Sequence, residues 1–123
     1  MNDLSDLGLD PMPLRPYPGT IWRHQKHNPP DHWHEYMVIG VNQSGPSDED
    51  AGQLYTCRDA DTLEWWDVAM STSGAWLYQR KDGETIWRDV PTVSYKPTND
   101  NLTLPWVRPL NEFLDGRFTE VPG

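Results

Sequence analysis

Short runs of alternating apolar and polar residues follow one another along most of this chain, separated by Gly, Pro, Asn or Asp residues. Such runs are typical of β-strands, whose successive side chains point to opposite faces of a sheet. The pattern predicts strands at residues 20–24, 33–41, 54–58, 75–79, 85–88, 92–96 and 104–107. Residues 63–70 fit either a strand or a helix, and in both cases one of the adjacent Trp65 and Trp66 is expected to face solvent.

Turn residues set the boundaries of these strands. Twelve prolines and nine glycines are a high content for 123 residues. Asp82-Gly83 is a strong hairpin signal, and it predicts that residues 76–80 and 85–88 pair with each other. Many short strands divided by turns are typical of a barrel or a sandwich. The sequence therefore predicts a mainly β protein, either a small SH3-like barrel or a compact antiparallel sheet, with one short helical turn near the C-terminus.

The helical turn is predicted around Pro109. Proline cannot donate to a strand ladder and suits the first position of a helix, so we expect the strand to end at Val107 and residues 110–114 to form one helical turn. Arg108 lies at the joint between the two elements. A guanidinium fixed in this way either binds an anion bidentately or serves as the buried structural partner of a carboxylate. The sequence leaves both alternatives open.

The length of 123 residues corresponds to one domain. We expect residues 1–17 to form an extended N-terminal arm, because three aspartates and three prolines interrupt its few leucines. Residues 18–123 would then form a single β-rich domain. An alternative is that the arm docks on a partner subunit through Leu4, Leu7 and Leu9.

Several motifs recur in an order that resembles a small bacterial and phage family, the domain of unknown function 1653. The matching residues are Gly19, Trp22-Arg23-His24-Gln25-Lys26, Tyr36-Met37-Val38-Ile39-Gly40, Glu84-Thr85, Val93-Ser94-Tyr95, Trp106-Val107-Arg108-Pro109 and Phe113. The resemblance covers about residues 18–41 and 84–114. It implies a small β-rich domain, carries no activity, and makes residues 42–83 an insertion or an extended hairpin.

The charge balance restricts the classes of partner. The formal net charge is −9, which is poorly suited to long nucleic acid because such binding depends on neutralising phosphates. Cys57 is the single cysteine, so no internal disulfide forms, as is typical of a reducing cytoplasm. No apolar run approaches the length that spans a membrane. We therefore expect a cytoplasmic protein, in the bacterial host cytoplasm if a phage encodes it.

The residues that could carry catalysis or bind a metal form no recognisable motif. His24, His27, His32 and His34 lie close together, but their spacing matches no standard metal site. Cys57 precedes Arg58, which could lower the pKa of its thiol, yet a lone cysteine on a short strand is usually a small core residue. No glycine-rich phosphate loop is present. We expect no metal, no cofactor and no enzymatic activity.

Cations repeatedly neighbour aromatic residues, a combination that can bind a small anion with a planar ring. Aromatic faces stack on bases, and arginine forks bind phosphate. The candidate ligand-binding residues are Trp22, Arg23, His24, Lys26, Arg88, Tyr95, Lys96, Trp106 and Arg108. The alternative is that aromatic and basic residues alternate only because strands alternate between core and solvent. That alternative explains Arg23 and Arg88 well, and Lys26 and Arg108 less well.

The sequence thus favours a non-enzymatic binding protein for a small phosphorylated or nucleotide-like ligand. Because the resemblance includes phage members, one version is a phage protein that sequesters a host nucleotide immune signal. The alternative is a protein–protein interaction module that uses an acidic, aromatic surface. A homo-oligomer, by base rate a dimer, is expected because a small β-domain has sheet edges to cover.

Overall fold

The computed structural model describes residues 16–24, 35–47, 50–98 and 104–121. Nearly all of the predicted N-terminal arm, residues 1–15, therefore lies outside the described residues. The elements are β1 (Ile21–His24), β2 (Glu35–Asn42), β3 (Gly52–Asp59), β4 (Trp65–Ser71), β5 (Gly74–Lys81), β6 (Glu84–Trp87), β7 (Thr92–Pro97), β8 (Trp106–Pro109), α1 (Leu110–Phe113) and β9 (Phe118–Val121).

The nine strands of the described residues belong to one sheet, in the order β6-β5-β4-β3-β8-β7-β2-β1-β9. The predicted mainly β fold with one short helix near the C-terminus is confirmed. Neighbouring strands are antiparallel except β3 and β8, which pair in parallel at Arg58 with Trp106 and at Asp59 with Val107. That parallel pair brings the C-terminal strand, residues 106–109, beside the middle of the chain.

The sheet curls, so that the continuation of β2 reaches β5. The backbone N–H of Gln43 donates to the carbonyl oxygen of Ala75 at 2.7 Å, and the N–H of Gly45 donates to the carbonyl oxygen of Arg88 at 2.7 Å. The result is barrel-like, but among the described residues the terminal strands β6 and β9 do not pair with each other, so the sheet stays open.

Two hydrophobic clusters fill the two faces of the curled sheet. The first core comprises Trp22, Val38, Val93, Tyr95, Phe113 and Phe118. The second core comprises Cys57, Trp66, Val68, Ala75, Leu77 and Val107. Strand β8 contributes to both, because consecutive side chains of a strand point to opposite faces. Val107 enters the second core, whereas Trp106 packs against the first.

The segment 42–83 is an integral part of this sheet. It contains all of β3, β4 and β5, and it supplies every member of the second core except Val107. Within it, residues 65–71 form a strand, with Trp66 buried and Trp65 51% exposed, so the expected outward tryptophan is Trp65. That the segment is an insertion relative to a shorter family domain stays a prediction.

The predicted hairpin at Asp82-Gly83 is confirmed. Asp82 and Gly83 have φ angles of 54° and 80°, and positive φ at both central residues is the signature of the two-residue turn that matches strand twist. Strands β5 and β6 pair across it, with Tyr78 opposite Trp87. The rings of these two residues lie 5.2 Å apart.

Strand β8 has the predicted length but is shifted two residues toward the C-terminus, to Trp106–Pro109 instead of residues 104–107. It continues through Arg108 to Pro109, which pairs with Thr92, instead of ending at Val107. The φ of −55° and ψ of 143° at Pro109 are extended values that the proline ring permits, and the missing N–H is the only loss. Helix α1 then starts at Leu110, whose N–H donates to the carbonyl oxygen of Pro91 at 2.8 Å.

Helix α1 is a single turn that places one ring in the core. Of its four residues, Phe113 is fully buried and belongs to the first core. Among the described residues, no helix has the length and apolar character needed to cross a membrane.

Candidate functional site

A cavity of about 190 Å³ lies beside β1, β2, β7 and β8, on the face of the sheet that carries the first core. We call it the aromatic pocket. Its lining is His24, Tyr36, Ala60, Tyr95, Trp106 and Arg108. Four of these residues, His24, Tyr95, Trp106 and Arg108, are among the candidates that the sequence singles out. The structure therefore brings together residues that lie more than eighty positions apart in the chain.

Strand pairing explains why these side chains converge. Tyr95 on β7 is the direct partner of Trp106 on β8, so both point to the same face of the sheet. Tyr36 lies on β2, the other neighbour of β7, and it packs against the same core. His24 ends β1, and its ring packs edge-on against Phe118 at 4.7 Å between centroids. Five of the six lining residues thus lie on strands, and Ala60 lies directly after β3.

Two tyrosines form adjoining walls of the pocket. The rings of Tyr36 and Tyr95 are 5.5 Å apart and nearly perpendicular, at 88°. Burial raises the pKa of both phenols above the ordinary value, although the nearby Arg108 charge lowers each of them in part. Both therefore stay protonated at neutral pH, and each can contribute a hydroxyl group as well as an aromatic face.

Arg108 is held by three partners. Its Nε donates to the hydroxyl oxygen of Tyr95 at 2.7 Å, and its Nη1 donates to Glu112 Oε1 at 2.6 Å and to Asp61 Oδ1 at 3.1 Å. Its side chain is only 13% exposed, and the guanidinium carbon lies 5.9 Å from the centre of the Phe118 ring. Arg108 is therefore the structural partner of two carboxylates, and it lines the pocket as well.

The protonation of this cluster follows from its contacts. Burial by itself lowers the pKa of the Arg108 guanidinium, but Tyr95, Glu112 and Asp61 more than offset this effect, so the pKa is raised. Burial raises the pKa of Glu112, and a hydrogen bond with Asp61 raises it further, against the opposing effect of Arg108. The arginine is thus always charged, whereas Glu112 is harder to ionise than an isolated glutamate.

The other candidate residues lie elsewhere. Arg23 points to the opposite face of β1 from His24, and its Nε pairs with Glu35 Oε2 at 3.0 Å. Lys96 follows Tyr95 on β7, so alternation turns it to the other face of that strand. Lys26 lies outside the described residues.

Trp22 and Arg88 have structural roles. Trp22 is buried in the first core and borders a second cavity of about 320 Å³, lined by Trp22, Leu114, Gly116, Phe118, Thr119 and Glu120. That cavity is larger, but the lining residues described here include no cation, so it lacks the pairing of ring and charge that defines the candidate site. Arg88 forms an ion pair with the buried Asp59 at 2.8 Å and lies over the Trp66 ring at 5.1 Å.

Sequence reasoning missed Tyr36, Asp61 and Glu112. Glu112 could have been found, because it follows Arg108 by four residues, the spacing that brings side chains together on a helical turn. Tyr36 could have been found by pairing β1 with β2, which places it opposite Trp22. Asp61 has no local signal, because it reaches Arg108 only through the parallel pairing of β3 with β8.

The described residues contain no group of three or more His, Cys, Asp or Glu side chains that could hold a metal ion. Three of the four clustered histidines, His27, His32 and His34, lie outside the described residues. The structure therefore leaves the expectation of no metal as a prediction.

Cys57 is expected to be chemically inert in the folded protein. It is fully buried in the second core, and burial, followed by the charges of Asp67 and Asp59, raises the pKa of its thiol to about 12. Only the thiolate is nucleophilic. At pH 8 we expect a disulfide reagent to modify native Cys57 roughly a thousandfold more slowly than the unfolded chain, whose cysteine pKa is about 8.5. Equal rates in the two states would contradict this burial.

The fold and pocket define a small mainly β protein with a pocket that combines aromatic side chains and a single arginine among the described lining residues. No family model matches this chain, and no curated protein or solved structure matches it either. The resemblance to the domain of unknown function 1653 therefore stays a prediction, and the functional argument depends on the site itself.

Proposed function

We propose that this protein binds a small nucleotide-like molecule without changing it chemically, and that a planar ring of the ligand enters the aromatic pocket. The observation that supports this most is the convergence of Tyr36, Tyr95 and Trp106 around one cavity that also contains Arg108. Aromatic side chains stack on nucleobases whatever the base, and a fixed arginine supplies hydrogen-bond donors at the ring edge.

The size of the pocket limits what enters it. Pockets for drug-sized ligands span about 300–1,000 Å³. A cavity of about 190 Å³ is smaller and suits one ring system. The rest of a nucleotide would therefore lie outside the aromatic walls.

The absence of turnover is supported by the state of Arg108, Tyr95 and Cys57. Arg108 is committed to Tyr95, Asp61 and Glu112, and the Tyr95 phenol has a raised pKa because of its burial. Cys57 belongs to the second core and not to this pocket. A protein of this kind could sequester a host nucleotide signal on behalf of a phage, and the support for that version is the resemblance alone.

The experiment is native mass spectrometry of the purified protein, before and after incubation with a nucleotide-rich bacterial extract. We expect a discrete added mass that is released unchanged when the protein is denatured. Replacing Trp106 by alanine should weaken binding by about 1–3 kcal/mol, the value of one stacked base, which is roughly five- to 150-fold. A ligand that comes back chemically altered would contradict the non-enzymatic proposal.

Trp65→Ala is the matched control. It also removes one tryptophan from the sheet, but Trp65 is 51% exposed and is not part of the pocket; it stacks instead with Arg58, whose guanidinium carbon lies 5.0 Å from the ring centre. This change should leave ligand binding unaltered. If both variants bind the retained molecule like the wild type, the aromatic pocket is not the binding site.

A protein–protein interaction module is the second candidate, and the exposure of Trp65 and Leu63 supports it. Leu63 is exposed and has a φ of 65°, a left-handed conformation that is rare for a bulky residue. The two tryptophan variants separate the candidates. For an interaction module, Trp65→Ala should weaken the capture of a protein partner while Trp106→Ala leaves it unchanged.

A further inference from the structure

The charges around Arg108 determine which part of a ligand the aromatic pocket accepts. Phosphate is normally bound by two adjacent N–H donors of one guanidinium edge. The Arg108 guanidinium has two such edges, Nε with Nη2 and Nη1 with Nη2. Nε already donates to Tyr95, and Nη1 already donates to Glu112 and Asp61, so one donor of each edge is occupied. Within the described residues Nη2 makes no hydrogen bond. Arg108 therefore offers a single donor nitrogen and no complete fork.

The cluster of charged side chains around Arg108 also has no net positive charge. Arg117 is the second cation, and its Nη1 contacts Glu112 at 3.2 Å while its Nη2 contacts Asp115 at 3.0 Å. Two arginines thus face three carboxylates. Even with Glu112 protonated, two arginines face two carboxylates, so the cluster is neutral and not positive. A phosphate group placed beside Arg108 would meet two carboxylates within about 3 Å of the same guanidinium.

We infer that Asp61 and Glu112 act as charge-selecting residues, so that the pocket accepts an uncharged heterocycle, such as a nucleobase, and excludes phosphate. This inference depends on the proposed function, because it concerns the same pocket. Stacking on Trp106 and Tyr36 does not require charge, and the free Nη2 of Arg108 suits one carbonyl or ring-nitrogen acceptor. Phosphate is repelled because the carboxylates already neutralise the only arginine in the described lining.

The test is calorimetric titration with the four common ribonucleosides and their 5′-monophosphates, at pH 8, where histidine is ordinarily uncharged. We expect at least one nucleoside to bind, and its monophosphate to bind about tenfold more weakly or worse, because a phosphate just outside the aromatic walls is still repelled by the carboxylates of Asp61 and Glu112. In Glu112→Gln and Asp61→Asn the preference for the nucleoside over its monophosphate should shrink or reverse, since each variant removes one of the two carboxylates that neutralise Arg108.

Asp82→Asn is the matched control for these variants. It changes the net charge of the protein by the same amount, but Asp82 lies in the β5–β6 turn, where asparagine tolerates the positive φ. It should preserve the wild-type preference. A preference that shifts equally in the Asp82 variant would show that total charge, and not the cluster, is responsible, and this would overturn the inference.

Two further outcomes separate the inference from the proposed function. If the wild-type protein binds a monophosphate as tightly as its nucleoside, or more tightly, the inference is wrong while the binding function stands. Suppose that no nucleoside and no monophosphate binds, and that Trp106→Ala does not reduce the mass retained from the bacterial extract. In that case the proposed function fails, and the inference fails with it.

Discussion

Replacing Phe113 by alanine is expected to lower the free energy of unfolding by about 3–5 kcal/mol, the usual cost of deleting a buried ring. Phe113 is 0% exposed, and its ring stacks on Phe118 at 4.3 Å and meets Trp22 edge-on at 5.1 Å. A single-turn helix has too few hydrogen bonds to form alone, so this contact is what fixes α1 on the sheet. Urea unfolding of the wild type and the variant measures the loss.

Leu114→Ala provides the control for this prediction. Leu114 is the next residue, but it is 40% exposed, so its truncation should cost no more than about 1 kcal/mol. Phe113→Ala should also weaken ligand binding, because the Phe113 ring lies 5.5 Å from that of Tyr95, a wall of the pocket. Equal losses of stability in the two variants would show that Phe113 does not anchor the helix.

The local signals in the sequence were sufficient for most of the strands. Alternation and turn residues predict β1, β5, β6 and β7 within one or two residues of their bounds, since glycine, proline or aspartate lies close to at least one end of each strand. Pro109 was misjudged because the rule that proline ends a strand concerns its missing donor, whereas its backbone angles remain extended.

The order of strands could not be derived from the sequence. The parallel contact of β3 with β8 joins residues that are almost fifty positions apart, and no turn or spacing signal specifies such a pairing. The curl that brings Gln43 to Ala75 is likewise a property of the whole sheet and not of one segment. Sequence reasoning therefore left a barrel and a compact sheet as equal alternatives.

In the candidate site, too, local signals predict some contacts and long-range strand pairing creates the others. Trp106 and Tyr95 converge because neighbouring strands share a face, which alternation anticipates. Arg23 and Arg88 were grouped with them only because each follows a tryptophan, and adjacency in a strand separates side chains instead of joining them. The carboxylate partners of Arg108 change the electrostatics of the pocket most, and one of them, Asp61, arrives through the long-range pairing that the sequence does not reveal.

Breaking the buried Asp59–Arg88 pair is expected to be the other change with a large effect on stability. The Asp59 carboxylate is 2% exposed; its Oδ2 accepts from Arg88 Nη1 at 2.8 Å, and its Oδ1 accepts from the backbone N–H groups of Asp61 and Thr62 at 2.8 and 3.0 Å. Asp59→Ala would leave a largely buried arginine and two N–H groups without their partner. We expect urea unfolding to show a loss of about 3–5 kcal/mol.

A matched surface pair tests whether burial is the cause. Arg23 and Glu35 are also joined by one 3.0 Å contact, but both side chains are about one-third exposed. Glu35→Ala should therefore cost no more than about 1 kcal/mol. If the two alanine variants lose the same stability, the buried pair has no special weight in this fold.

Asp59 should also control how stability falls in acid. Burial raises the pKa of its carboxyl group, but the bonds from Arg88, Thr62 and Asp61 outweigh burial, so the net pKa is lowered. Its contribution is therefore complete above the unfolded pKa of about 3.9 and is lost as the pH falls through the lower folded value. Urea unfolding at a series of pH values should show a shallower decline below about pH 4 for Asp59→Asn than for the wild type. Identical slopes would mean that other carboxylates cause the acid sensitivity, because asparagine has nearly the shape of aspartate and does not ionise. It also replaces one acceptor oxygen by an NH2 donor, so the variant is less stable at every pH and the comparison is of slopes alone.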